Sequence, residues 1–252
     1  MLKAVLFDLD NTLILYDEMD FFKRFIPRIT ESFRDIMPPD IFPDKLIVAT
    51  QSLMRNDGSL LNREIFLNVF TADYEEHRDK LWDRLLRFYT TELDSFRNLV
   101  TVPAGIEEVF DILKRMHLKA VIASNPIWPR EGQIKRFSWT GVECTFDFIT
   151  HMENMFYCKP RLEYYRAICE EIDEKPEECL MVGNDLVNDM IAAKIGIRTF
   201  LMTDGIKHDE SSLANVLKLK RKGISDIPEP DFIGRCSELS AVIEELNGEI
   251  RS

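Results

Sequence analysis

The stretch KAVLFDLDNTLILYDE, residues 3–18, decides the fold. It opens on an unbroken apolar run, AVLF, of the kind that fills a parallel strand buried on both faces. The run stops at two aspartates one residue apart, Asp8 and Asp10. Side chains two residues apart on a strand point the same way. A strand built to be buried therefore ends by presenting two carboxylates on one side.

Downstream of Tyr16 the pattern changes. FFKRFIPRITESF (21–33), DKLIVATQSLMRN (44–56), LNREIFLNVFTADY (61–74) and HRDKLWDRLLRFYTTEL (77–93) carry apolar residues every three or four positions with charges between. That spacing predicts helices, with PPDIFPD (38–44) and NDG (56–58) as breaks. After Pro103 strands and helices alternate. GIEEVFDILKRMH is amphipathic and helical, and KAVIAS (119–124) reads as a second strand. FDFIT (146–150) is a third, followed by the helix RLEYYRAICEEI. ECLMVG (178–183) is a fourth, followed by the helix VNDMIAAKIG and a further apolar strand IRTFLM (197–202). DFIG and SELSAVIEEL close the chain as a strand and a helix, and KLKRKG within the less regular 203–231 reads as a solvated helix end. Alternation of this kind implies a parallel sheet with right-handed crossovers. The predicted architecture is α/β: a Rossmann-like parallel sheet core (1–15 and 99–252) with an inserted α-helical cap domain (16–98).

Composition bounds the function. The 252 residues are 45% apolar and 30% charged, the balance of a soluble globular chain with a sizeable core. A net charge of -12 argues against nucleic-acid partners, which are bound by an excess of Lys and Arg. Five cysteines show no metal-type spacing and are expected to be reduced thiols. The residues ahead of Asp8 are too few for a signal-peptide core. No apolar run approaches the roughly 20 residues needed to cross a bilayer, so a cytoplasmic protein without membrane contact is expected.

Ligands of open α/β sheets collect beyond the carboxyl ends of the strands, so the strand ends are the informative positions. The first ends on Asp8 and Asp10, the second on Ser124 and Asn125. Lys159 follows the third. The fourth ends on Gly183, Asn184 and Asp185, with Asp189 one helical turn on. Any one of these is what a solvated loop looks like; all four at one edge is a site. Close carboxylates repel, and Mg²⁺, which takes oxygen ligands and commonly only one or two carboxylates with water and phosphate, removes that difficulty. Asp8 and Asp185 are the carboxylates expected to hold it. With a bound phosphate neutralised by Mg²⁺ and Lys159, a carboxylate can attack phosphorus to form an aspartyl-phosphate.

The set DLDNT (8–12), ASN (123–125), CKP (158–160) and VGNDLVND (182–189) resembles, in order and spacing, the four motifs of the haloacid dehalogenase superfamily, over nearly the whole chain. The resemblance implies roles. Asp8 matches the nucleophile and a metal ligand. Asp10 matches the general acid/base, with its backbone carbonyl on the metal. Thr12 steadies the loop. Ser124 and the amide of Asn125 match contacts to the transferring phosphoryl group, and Lys159 the cation bridging nucleophile and phosphate. Asp185 matches an acidic metal ligand, and Asp189 a further carboxylate that orients metal-bound water or the lysine. The fourth motif departs from the common Gly-Asp opening. Either Asn184 is a neutral ligand beside Asp185, or the metal is held by fewer charges.

Asp10 separates the chemistries. Members that cleave carbon–halogen bonds lack an acid there, whereas an alkoxide leaving group needs one. The expected activity is thus Mg²⁺-dependent hydrolysis of a small phosphorylated metabolite, in the phosphoglycolate phosphatase-like branch with a helical cap. A phosphomutase shares the same core residues and is the alternative. A non-catalytic phosphate-binding or interaction module would lack Asp8, Asp10 or Lys159, and all three are present. The insert aromatics (Phe21, Phe22, Phe25, Trp82, Phe88, Tyr89) recur at helical spacing and read as core. Tyr16, Asp17 and Asp20 stand at the domain junction, Trp128 beside the second motif, and His151 at the site's edge.

Overall fold

In the computed structural model, which describes residues 1–205 and 227–248, six parallel strands form one sheet in the order β3-β2-β1-β4-β5-β6. They are β1 (Ala4–Phe7), β2 (Lys119–Ile122), β3 (Phe148–Ile149), β4 (Cys179–Gly183), β5 (Arg198–Met202) and β6 (Phe232–Gly234). The apolar run that opens the chain lies at the centre. Phe7 registers with Ile122 on one side and Val182 on the other, and all four β1 residues are fully buried. Alternation divides its side chains between two cores. Val5 and Phe7 pack with α5 (Ile106–Arg115) and α8 (Cys236–Leu246), while Ala4 and Leu6 pack with Tyr164, Tyr165 and Ile168 of α7 (Leu162–Glu171).

Between β1 and α5 the chain makes four helices: α1 (Glu18–Phe33), α2 (Phe42–Met54), α3 (Asn62–Phe70) and α4 (Arg78–Thr91). Asp17 caps α1 by accepting from the Asp20 backbone N–H. Phe21, Phe25, Ile29 and Phe33 form its buried stripe. The two chain crossings pair backbone to backbone, Leu15 with Thr101. The helical insert sits down on the sheet's carboxyl edge through Trp128, which contacts Phe25 and Tyr89 with ring centroids 5.5 and 5.3 Å apart. A second contact joins Asn62 and Arg63, at the start of α3, to the Met155 and Met152 carbonyls.

Several local expectations change. The break at 38–44 ends early, because α2 begins at Phe42 with Pro43 in its first turn, where proline costs no hydrogen bond. The third strand shrinks to two residues. Helix 187–196 is a short 3₁₀ segment, Met190–Ile195, stopped at Gly196 with φ 94°. A helix α6 (Arg130–Ser138) stands where no element is legible from periodicity, since its only large apolar residues are Ile134 and Phe137. The KLKRKG segment lies outside the described residues. All five cysteines are free thiols. Among the described residues no helix is long and apolar enough to cross a membrane.

Candidate active site

The floor of the site is an ion triad. Lys159 Nζ donates to Asp8 Oδ1 at 2.8 Å and to Asp189 Oδ1 at 2.6 Å. All three side chains are buried. Each is placed by its strand. The Asp8 N–H donates to the Val182 carbonyl, so the residue stays extended to the sheet edge. Lys159 is fixed from behind, its N–H donating to Asn125 Oδ1 at 3.0 Å, which ties the third strand's loop to the second's. Asp189 folds back over the end of β4, and only glycine tolerates this at residue 183, where a Cβ would lie 2.2 Å from Asp189 Oδ2.

Burial pushes the Asp8 carboxyl up to about 7; the Lys159 ammonium opposes the shift and the Asp189 and Asp10 charges reinforce it. Asp189 is raised for the same first reason, burial, again against Lys159. For Lys159 burial pulls downward, but the Asp189 and Asp8 charges outweigh it and hold the ammonium well above its ordinary range. One fixed cation between two desolvated carboxylates leaves the floor short of positive charge.

The loop after β1 turns back sharply. Asn11 takes φ 54°, and its side chain accepts from the Tyr16 N–H and donates to Glu18 Oε1, both at 3.1 Å. Thr12 lies underneath, fully buried, its hydroxyl 3.4 Å from Asp8 Oδ2 and 3.2 Å from Asn184 Oδ1. Asp10 Oδ1 receives two donors, the Tyr16 hydroxyl and the Arg136 guanidinium. At the fourth strand the Asp185 carboxylate accepts the N–H groups of Val187 and Asn188 at 2.8 and 2.7 Å, and its other oxygen takes the Asn188 side-chain amide. The Asp185 N–H in turn donates to Asp189 Oδ2.

Of the nine site residues expected from the sequence, all but Thr12 line one cleft of about 280 Å³. A larger groove of about 400 Å³ between α1 and α4 is lined by surface charges already paired, Arg84 with Asp35, and has no such chemistry. Two of the expected metal ligands carry hydrogen bonds of their own. Asp189 has both oxygens hydrogen-bonded, to Lys159 and to the Asp185 N–H, and so acts on the lysine. Asp185 closes its own turn. Among the described residues no three His, Cys, Asp or Glu side chains are arranged to hold a metal. Asp8 Oδ2 and Asn184 Oδ1 both approach the Thr12 hydroxyl and are therefore neighbours, and the Asp185 carboxylate lines the same cleft. Carboxylate and amide oxygens of this kind fit Mg²⁺, a hard cation that keeps several waters and few protein ligands, and a carboxylate that accepts N–H groups still has lone pairs to offer.

Tyr16 and Trp128 line the cleft. So does Phe22, expected in the core but 40% exposed. Asp17 serves as a cap, Asp20 pairs with Arg24, and His151 pairs with Glu153 and does not line the cleft. Arg136 and Gln133 are the residues periodicity misses. Their signal is faint: in REGQIKRFS they share a helix face with Phe137, so a charge sits where a core residue belongs.

A family model for haloacid dehalogenase-like hydrolases matches residues 2–196. A curated relative, pyrophosphatase PpaX of Halalkalibacterium halodurans, is 24% identical over 210 residues, 83% of this chain and 87% of that one. Among solved structures, 2-haloacid dehalogenase of Pseudomonas syringae pv. Tomato DC3000 superposes with a TM-score of 0.59 at 16% identity, covering 97% of this chain and 99% of the other. A phosphatase from Thermococcus onnurineus superposes with 0.57 at 17%, covering 96% and 98%. At such identities these two likenesses speak for the fold alone.

Proposed function

The chain belongs to the haloacid dehalogenase-like hydrolase family, and from that premise we propose that it is a Mg²⁺-dependent phosphatase working through an aspartyl-phosphate on Asp8. The observation that carries the reading is the Lys159 ammonium held between Asp8 and Asp189 at the base of the cleft. One oxygen of the Asp8 carboxylate attacks phosphorus, and the other would serve the metal. The Ser124 hydroxyl and the Asn125 amide hold the phosphoryl oxygens, and Lys159 offsets their charge. Asp10 gives a proton to the departing alcohol, then takes one from the water that opens the acyl phosphate. Asp8, Asn184 and Asp185 would hold Mg²⁺, which would supply additional positive charge at the phosphate. The helical insert serves as the cap that limits water and selects the leaving group. The deciding experiment is phosphate release from a panel of phosphomonoesters with Mg²⁺ and with chelator. Stoichiometric release that chelator abolishes is expected; chelator-resistant turnover overturns the reading.

The Asp8 shift gives a metal prediction. Its folded value of about 7 lies above the ordinary 3.8, so the metal-free folded state holds a proton that the unfolded chain gives up. Stability from this group is full below about 4 and falls as pH rises toward 7. Mg²⁺ binds the carboxylate, not the acid. The rise in Tm on adding Mg²⁺ should therefore be larger at pH 7.5 than at pH 5.5. A shift that shrinks with rising pH counts against Asp8 as a ligand.

Leaving-group preference follows from the rest of the lining: Tyr16, Phe22, Ile127 and Trp128 with Glu18, and, among the described residues, Lys159 as the only cation. An aromatic, neutral or cationic leaving group meets apolar faces and one acid. A second anion meets like charge. p-Nitrophenyl phosphate should exceed pyrophosphate and 2-phosphoglycolate by about tenfold or more in kcat/KM, equivalent to ~1.4 kcal/mol. A preference for pyrophosphate would instead carry the PpaX relative's activity over to this chain.

A further inference from the structure

Arg136 is a full positive charge inside the protein, 1% exposed and carried by the core helix α6 rather than by the insert. An arginine cannot shed its charge to suit burial, so it needs a fixed anion. That anion is Asp10, which stands 126 positions earlier and leaves its side chain 30% exposed toward the cleft. The guanidinium is otherwise immobilised. It donates to Gln133 Oε1 at 3.0 Å, and its centre lies 4.4 Å from the centroid of the Trp128 ring. Gln133 is held in turn, its amide donating to the Thr150 carbonyl at 3.1 Å and the Asn125 carbonyl at 3.3 Å. Trp128 is wedged between Phe25 and Tyr89. The rigid end of this chain of contacts is therefore the second strand's loop, and the movable end is Asp10.

Both donors to Asp10, Arg136 and the Tyr16 hydroxyl, use the same oxygen, Oδ1. We propose that Arg136 is the positioning residue of the acid/base: it pins Asp10 Oδ1 into the protein so that Oδ2 is the oxygen that trades protons with substrate. This rests on the reading of Asp10 as acid/base. In the first half-reaction a bond forms between one Asp8 carboxylate oxygen and phosphorus, the phosphorus–alcohol bond breaks, and the proton on Asp10 Oδ2 passes to the departing oxygen. In the second, water attacks phosphorus, its proton goes to Asp10 Oδ2, and the bond to Asp8 breaks. Arg136 touches neither substrate nor reacting atom. Without it only the Tyr16 hydroxyl holds Oδ1, the carboxyl turns more freely about its broad terminal torsion, and the alignment that general acid catalysis needs is lost.

The test compares leaving groups, which a merely structural role does not discriminate. Arg136→Gln should lower kcat/KM for an alkyl phosphate such as glycerol 3-phosphate by about 10²-fold, the low end of what a general acid contributes. For p-nitrophenyl phosphate, whose leaving group departs unprotonated, the loss should stay under about fivefold, since only the step that needs a proton is affected. Arg136→Lys should recover part of the alkyl rate; it also carries the comparison if the glutamine variant fails to fold. In an Asp10→Asn background Arg136→Gln should change the alkyl rate little, the two acting as a unit. Equal losses on both esters, or full additivity with Asp10→Asn, overturn the proposal while leaving the phosphatase reading standing. A wild-type enzyme that hydrolyses neither ester, or an Asp10→Asn variant with full alkyl activity, overturns the functional reading itself.

Discussion

Asp8→Asn is expected to lower kcat for phosphate release by at least about 10⁴-fold, the scale seen when a covalent nucleophile is removed from a site whose groups act together. The substitution changes no volume and keeps an oxygen for Lys159 to donate to. It removes the negative oxygen that attacks phosphorus, and with it one of the carboxylates expected to hold a metal. The fold should not suffer. Asp8 is raised to about 7 because burial outweighs the attraction of Lys159, so at pH 7.5 the metal-free wild type carries an ionised group that destabilises the folded state relative to the unfolded chain. The variant should therefore melt at or above the wild-type temperature at that pH in chelator, and should lose the Mg²⁺-induced rise in Tm. Activity assays beside thermal melts with and without Mg²⁺ check this. Retention of more than about one-hundredth of the wild-type rate, far above what loss of a nucleophile allows, would falsify Asp8 as the attacking group.

Why the central sheet and the site floor are legible in the sequence, and Arg136 is not, has a physical reason. A parallel strand buried on both faces must be apolar throughout, so AVLF and CLMVG announce themselves, and any polar residue at their ends stands out against that background. Asp8 and Asn125 are visible for this reason, whereas Lys159 and Asp189 lie beyond the strand ends and are found through the motifs they belong to. The pairing of Lys159 with both acids is not visible, because it depends on how far each loop reaches. The same holds for the contacts of Asp185: the sequence offers a carboxylate beside Asn184, and that it accepts two backbone N–H groups of the tight turn 185–188 depends on the path of the loop. Helix α6 inverts the usual pattern. Its buried face is Gly132, Gln133, Arg136 and Phe137; only Phe137 packs in the apolar core, against Phe110 and Phe146, while Gln133 and Arg136 are satisfied by hydrogen bonds and a ring, so hydrophobic periodicity carries little trace of it. Phe22 fails for the opposite reason: it sits one position off the buried stripe of α1 and faces the cleft.

Lys159→Met should be the most destabilising single change in the site. The ammonium is 2% exposed and is the shared partner of two buried acids. Methionine fills the same stem but leaves Asp8 and Asp189 facing each other without a cation. Removing one partner of a buried ion pair costs about 3–5 kcal/mol, because the charge left behind has lost water and gained nothing. The sign with pH follows. Both acids are already raised by burial in the presence of the lysine, and its loss raises them further. Groups whose folded values lie above the unfolded ones contribute their full stability at pH below about 4 and lose it as pH rises. The deficit against wild type should therefore be largest at pH 7.5 and contract toward pH 5. Mg²⁺ should restore part of it through Asp8. Lys159→Arg should not rescue, since a planar fork requires room and donor directions that a point charge between two oxygens does not provide. Urea denaturation of wild type and both variants at the two pH values measures this. A deficit that is the same at both would mean that the lysine contributes packing rather than charge, and the ion triad would no longer be the basis of the site.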